Sequence, residues 1–386
     1  MTQRYSARDM LERLVSFPTV SRDTNLPLID FVEEYLADLG IASVRTPDET
    51  GQKASLHAIV GPEVEGGVIL SGHTDVVPID GQDWSSDPFT LTERDGKLYG
   101  RGTCDMKGWL ALSLAAVPRM LESDLKRPAI LAFSYDEEVG CLGAPPMIAR
   151  IASELPQAAA CIVGEPSMMK IVDGHKGIAG LQVDVRGFEV HSSLVHTGVS
   201  AIMTAARLIT WLHEQMARNA ATALPENAAY EPPFTTLHSG MISGGTAHNI
   251  TAKDCRFSVD IRAVPNEPVA DWVARFRAEA ATVEAEIQAI RPEAKITVTE
   301  RTTAPGLVPE EDGAAEALVR RLTGENATGK VAYATEGGQF QDGGFSTVIC
   351  GPGSIEQAHQ PDEYLSVEQL AAGEAFMEKL VAELAR

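Results

Sequence analysis

The sequence predicts an α/β protein with a central, mostly parallel sheet, interrupted by an inserted α+β domain of ferredoxin-like order. Three observations carry this reading. Apolar β-runs alternate with helical periods up to Lys176, the pattern of a sheet covered by helices. Beyond that point apolar residues alternate with polar ones, as in strands with one open face. After Arg301 the first pattern returns. At 386 residues the chain is also too long for one ordinary core. The expected division is a discontinuous main domain, 1–177 and 299–386, around an insert at 178–298.

Taken in order, Ser6 caps an amphipathic helix to Phe17, with Met10, Leu11 and Leu14 on one face. LHAIVG (56–61) and GVILSGH (67–73) read as strands across a Gly/Pro turn. A helix is expected from Met106 to Leu121, a strand over PAILAFSY (128–135), and a helix opened by Pro145 and Pro146. AACIVG (159–164) is a short buried strand. In the insert, GIAGLQVDVRG (177–187) reads as a half-exposed strand and 198–216 as a helix. PFTTLHSGMI (233–242) and NITAKDCRFSVDIRAV (249–264) come next as antiparallel strands, then a helix over 268–290 and the strand KITVTER (295–301). That β-α-β-β-α-β order is a compact α+β unit. Short strands near 330–334 and 346–350 and a helix over 366–385 complete the main domain.

Composition excludes several function classes. Net charge is −22 with no basic patch, which argues against nucleic acid. No apolar run reaches the roughly 18 residues of a membrane span, and the first residues lack a signal-peptide pattern. Five scattered cysteines without a CxxC pair suit free thiols in a reducing cytoplasm.

The chemistry gathers where strands end. SGHTDVV (71–77) carries His73 and Asp75, GRGTCDMKG (100–108) carries Asp105, and SYDEEVG (134–140) carries Asp136, Glu137 and Glu138. VGEPS (163–167) carries Glu165, and GPGSIEQAHQPDE (351–363) carries His359. Each alone has an ordinary alternative: a turn histidine, a helix-capping aspartate, a solvated loop acid. Together they sit where open α/β sheets collect ligands, outside the carboxyl ends of the strands. Imidazole and carboxylate donors without thiolate suit zinc or another divalent first-row ion. Two ions about 3.5–4 Å apart need a bridging ligand, and Asp105 is the candidate. Asp75 can accept the second N–H of His73 and fix its tautomer.

GHTDVVP, GRGTCDMKG, SYDEEVG and GEPS resemble, in order and spacing, the motifs of the dinuclear-zinc amidohydrolases. That family includes acetylornithine deacetylases, succinyl-diaminopimelate desuccinylases, aminoacylases and glutamate carboxypeptidases. The resemblance covers nearly the whole chain and implies a zinc-peptidase-like catalytic domain, with the insert as lid and dimerisation domain. RGTCDMKG, GGTAHNI (244–250), YATEGGQFQ (333–341) and CGPGSIEQAHQPDE are most similar to acetylornithine deacetylases. The resemblance implies that His73, Asp105 and Glu165 hold one zinc, and Asp105, Glu138 and His359 the other, with cobalt as an alternative metal. Glu137 is then the general base, and Asp75 supports His73. It further implies a cis peptide after Asp105. Trp109 stands where many relatives have glycine; it either narrows the pocket or packs against the helix.

The implied reaction is hydrolysis of the amide of a small N-acyl amino acid, with N2-acetyl-L-ornithine the first candidate. His191 in FEVHSS matches the family's oxyanion-stabilising lid histidine, and Arg262 in DIR the residue expected to clamp the substrate carboxylate. Asn249 is a further substrate contact, and Glu336 could face a cationic side chain. A homodimer through the lid is implied. Competing readings are a desuccinylase, aminoacylase, dipeptidase or carboxypeptidase with the same metals, and a non-catalytic dimeric binding protein of this fold.

Overall fold

The computed structural model describes residues 4–386. The chain divides into two compact units. The first runs to Gly174 and is completed by Pro309–Gly329 and Thr335–Arg386; the second comprises His175–Val308 and Lys330–Ala334. The second unit thus starts three residues before, and ends ten residues after, the expected 178–298.

The first unit is built on an eight-stranded sheet. Its order is Ser43–Pro47, Ala54–Val60, Ala129–Ser134, Val68–His73, Ala160–Pro166, Thr347–Gly351, Ile171–His175 and Thr328–Val331. The four strands from Ala129–Ser134 to Thr347–Gly351 run parallel. Every residue in them is buried, which is why they read as unbroken apolar runs and not as alternating ones. Ala54–Val60 and Ile171–His175 flank them antiparallel.

The helix Gly108–Glu122 starts two residues later than its periodicity predicts. Thr103–Lys107 forms an irregular turn instead, with Asp105 and Met106 outside helical backbone angles and a cis peptide between them. Trp109 resolves to the packing alternative. It is fully buried, 6.0 Å from the Phe376 ring centroid. Its indole fills space that only a glycine leaves free: a Cβ on Gly164 would lie 1.9 Å from the Trp109 ring. A small sheet of Thr92–Arg94, Lys97–Tyr99 and Tyr364–Ser366 was not legible in the sequence. It brings the segment after His359 beside the segment before Asp105.

The second unit carries its own apolar core. Gly177–Arg186 alternates buried and half-buried residues and pairs antiparallel with Asp254–Ala263 and Lys295–Ala304. The helices Ala201–Ala221 and Val269–Ile290 contribute Leu208, Leu212, Phe276 and Val283 to that core. The strand expected over 233–242 is instead two pieces, Thr236–His238 and Ile242–Gly244. His238 opposes Asp260 and Ile242 opposes Phe257, so four steps on one strand face three on the other. The extra residue makes a bulge and breaks the ladder. Residues 249–253 also leave the expected strand, because Ile250 bridges His191 and the Thr251 N–H donates to the Val190 carbonyl. No helix among the described residues is long and apolar enough to cross a membrane.

Candidate metal centre

Parallel strands end together, so the residues at their carboxyl ends converge. His73 is the last residue of its strand and lies opposite Ser134, the last of the next. Glu137 and Glu138 stand three and four residues beyond Ser134. Glu165 lies at the end of a third strand. The irregular turn supplies Asp105, and the loop after Thr347–Gly351 supplies His359.

His73 Nε2 lies 3.0 Å from Asp105 Oδ1 and 3.7 Å from Glu165 Oε1. His359 Nε2 lies 3.0 Å from Glu138 Oε2 and 3.3 Å from the other oxygen of Asp105. Asp105 therefore faces one imidazole with each carboxylate oxygen, as a bridging ligand must. Donor atoms of His73, Asp105 and Glu138 lie within 4.8 Å of one another, and so do those of His73, Glu137 and Glu165.

The electrostatics are those of a site made for cations. Burial pushes the carboxyls of Glu137 and Glu165 well above their ordinary range. Burial and the neighbouring Asp105 push Glu138 up to about 7. Hydrogen bonds to Asp105 and Glu138 push His359 up to about 10. Burial works against the charge on His73, yet Asp105 and Asp75 still raise it. Acids crowded this closely repel unless positive charge lies between them. Glu138 Oε1 is buried with no hydrogen-bond partner in the protein. This orphaned oxygen and the nitrogen–oxygen donor set fit a divalent ion, with His73, Asp105 and Glu165 at one position and Asp105, Glu138 and His359 at the other.

Asp75 does more than expected. His73 Nδ1 lies 2.8 Å from the Asp75 carbonyl oxygen and 3.6 Å from the nearer carboxylate oxygen. The carboxylate also accepts from the Glu137 N–H at 3.1 Å and from Ser21 Oγ at 2.7 Å. It thus holds the backbone that presents the two glutamates. Glu336 lies inside the fold. It is 1% exposed, and its carboxylate accepts from Ser71 Oγ at 3.2 Å and from Ser134 Oγ. Burial pushes it up to about 7.

The first residue of the DEE run turns away. Asp136 has a left-handed backbone and pairs with Lys53 Nζ at 2.5 Å. Sequence reasoning missed Ser21 and Cys141, whose Sγ lies 3.4 Å from Glu137 Oε1. Neither belongs to a charged motif that would have flagged it.

His191, Asn249 and Arg262 lie in the second unit. The Ser192 N–H donates to the Asn249 carbonyl at 2.9 Å, and His191 bridges Ile250, so the first two share one pair of loops. His191 Nδ1 accepts from the Ser193 N–H at 3.2 Å, which leaves the proton of the neutral ring on Nε2. Arg262 Nε donates to both carboxylate oxygens of Asp260 at 3.1 Å.

Comparison with known proteins agrees with this geometry. Residues 69–383 match the model of peptidase family M20/M25/M40. The chain is 35% identical to an acetylornithine deacetylase of Myxococcus xanthus, over 97% of this chain and 96% of that one. It is 34% identical to an acetylornithine deacetylase of Pasteurella multocida, over 97% of each. An M20 family metallo-carboxypeptidase from Sulfolobus solfataricus shares the fold, with a TM-score of 0.78 over 99% of each chain at 16% identity. With candidate ligand residues gathered at the strand ends, the chain belongs to peptidase family M20/M25/M40 and is a metal-dependent amidohydrolase.

Proposed function

We propose that this chain hydrolyses N2-acetyl-L-ornithine to L-ornithine and acetate, a step of arginine biosynthesis, as a zinc-loaded cytoplasmic homodimer joined through its second unit. The observation that carries the chemistry is Glu137, a carboxylate oxygen of which lies within 4.8 Å of donors on His73 and Glu165 and whose backbone is held by Asp75. Support for the substrate comes from the near full-length similarity to proteins named acetylornithine deacetylase.

Two ions held by His73, Asp105, Glu138, Glu165 and His359 would lower the pKa of the attacking water and polarise the acyl carbonyl. Glu137 accepts the proton of that water and delivers it to the leaving amine nitrogen. Its burial raises its basicity, which suits a base working near neutral pH. His191 donates its Nε2–H to the oxyanion that develops on the acyl oxygen. Arg262, its guanidinium oriented by Asp260, offers a planar fork to the substrate α-carboxylate, and Asn249 adds a polar contact.

The test is a panel of N-acetyl amino acids, succinyl-diaminopimelate and dipeptides, assayed with zinc or cobalt and again after chelation. The expected result is highest kcat/KM on N2-acetyl-ornithine, abolished by chelation and restored by metal. Preference for a dipeptide or the succinyl substrate would overturn the substrate reading. Undiminished turnover in demetallated protein would overturn the chemistry.

A further inference from the structure

The two metal positions are built differently. His73 and Glu165 belong to buried strands, and His73 is 1% exposed. His359 stands on a loop, has a 52% exposed side chain, and adopts a left-handed backbone with φ 63°. A non-glycine residue holds that conformation at a cost and needs its surroundings to enforce it.

Those surroundings form a continuous strut. Glu363, four residues beyond His359, is 1% exposed. One of its oxygens accepts from the Cys104 N–H at 2.9 Å and the Asp105 N–H at 3.1 Å. The other accepts from the Gly102 N–H at 3.0 Å and Arg101 Nη1 at 2.8 Å. Gly102 has φ 81°, so this cup depends on a left-handed turn. Arg101 continues the strut: Nη1 donates to the Gln360 carbonyl at 3.3 Å and Nη2 to Gln82 Oε1 at 2.5 Å. Gln82 Nε2 then donates to the carbonyl of His359 itself at 2.9 Å. One hydrogen-bonded chain therefore runs from the backbone of Asp105 through Glu363, Arg101 and Gln82 to the backbone of His359.

We propose that Glu363 and Arg101, with Gln82, are positioning residues that fix the spacing of Asp105 and His359, and so selectively set the affinity of the metal position shared by Asp105, Glu138 and His359. The proposal rests on the assignment of those three residues as ligands. The position formed by His73 and Glu165 meets the strut only through the shared Asp105 and takes its other two ligands from buried strands, so the same substitution weakens it less. Loss of outer partners of metal ligands typically costs about 10–100-fold in affinity.

The experiment is calorimetric titration of the demetallated full chain with zinc, repeated with cobalt to follow the visible spectrum. Wild type, Glu363→Gln, Arg101→Lys and Gln82→Ala are compared. Gln replaces an acceptor that faces two N–H donors with a further donor. Gln82→Ala removes a half-buried side chain and tests the strut without emptying a buried site. Wild type should bind two ions in resolvable steps. In each variant the weaker step should weaken by about 10–100-fold, and the tighter step, which meets the strut only through Asp105, by clearly less. Equal weakening of both steps would reduce the strut to general structural support and overturn the proposal, as would variants that bind both ions like wild type. Wild type that binds fewer than two ions would instead overturn the ligand assignment itself.

Discussion

Glu137→Gln isolates the proton-transfer role. The substitution keeps the side-chain volume and an oxygen for Cys141 Sγ, now 3.4 Å away. Asp75 grips this residue through its backbone N–H at 3.1 Å, a bond the side chain does not enter. The turn should therefore survive. What disappears is the base. A positioned general base contributes about 10²–10⁴-fold, equivalent to about 2.7–5.4 kcal/mol at the barrier. Glu138→Ala acts differently, since it removes the oxygen 3.0 Å from His359 Nε2 and should cost an ion. The assay pairs steady-state kinetics with metal content after gel filtration. Glu137→Gln should retain two ions per chain and lose kcat; Glu138→Ala should retain one. The geometry supplies a rival, because an oxygen of Glu137 also lies within 4.8 Å of donors on His73 and Glu165. If Glu137→Gln loses an ion while Glu138→Ala keeps both, Glu137 is a ligand and the roles are reversed.

Further outcomes can be measured separately. Arg262→Lys should lower kcat/KM on the free acid and leave an amidated substrate nearly unaffected, because a point charge replaces a fork; equal penalties on both would refute the carboxylate clamp. His175 is fully buried, and burial holds its pKa down at about 4 against an ordinary 6.5. Its neutral form is the folded one, so its stability contribution is complete above pH 6.5 and is lost as pH falls toward 4, by up to about 3 kcal/mol. His175→Asn keeps a donor for the Lys176 carbonyl and removes the titration; the stability gap between wild type and variant should change by that amount between pH 7 and 4, and a constant gap would refute it. If His191 serves the partner's site in the dimer, mixing His191→Ala with Glu137→Ala under subunit exchange should revive roughly a quarter of the sites; verified exchange without activity would confine His191 to its own chain.

The parallel core was legible because burial on both faces leaves a continuous apolar signature. Val68–His73, Ala129–Ser134 and Ala160–Pro166 each fall within two residues of their expected limits. The candidate ligands at their ends were legible only as a set, because each alone has an ordinary alternative while all of them fall where strands end. The start of the helix at Gly108 was not, since periodicity cannot register backbone that leaves helical angles at Asp105 and Met106. Nor was the break in the 233–242 strand, where one extra residue against Asp254–Ala263 leaves composition unchanged and alters only pairing.

The roles that differ from expectation share a physical cause. Asp75 lies two residues from His73, and proximity in sequence suggests that its carboxylate meets the imidazole. In the fold the Asp75 carbonyl lies closer to the imidazole than the carboxylate does, and the carboxylate also holds the Glu137 backbone, 62 residues away. Glu336 has the sequence surroundings of a loop acid, but two serine hydroxyls from adjacent strands, 265 and 202 residues away, take it inside. Glu363 reaches the Asp105 backbone across 258 residues. Motif spacing identifies groups that act on an ion, because coordination restricts the residue type. It says little about groups that act on backbone N–H donors, which any carboxylate can accept from and which only the folded chain brings into reach. The positioning residues of this centre are therefore a product of the tertiary structure, even where, as with Glu363, they stand inside the same GPGSIEQAHQPDE segment as a ligand.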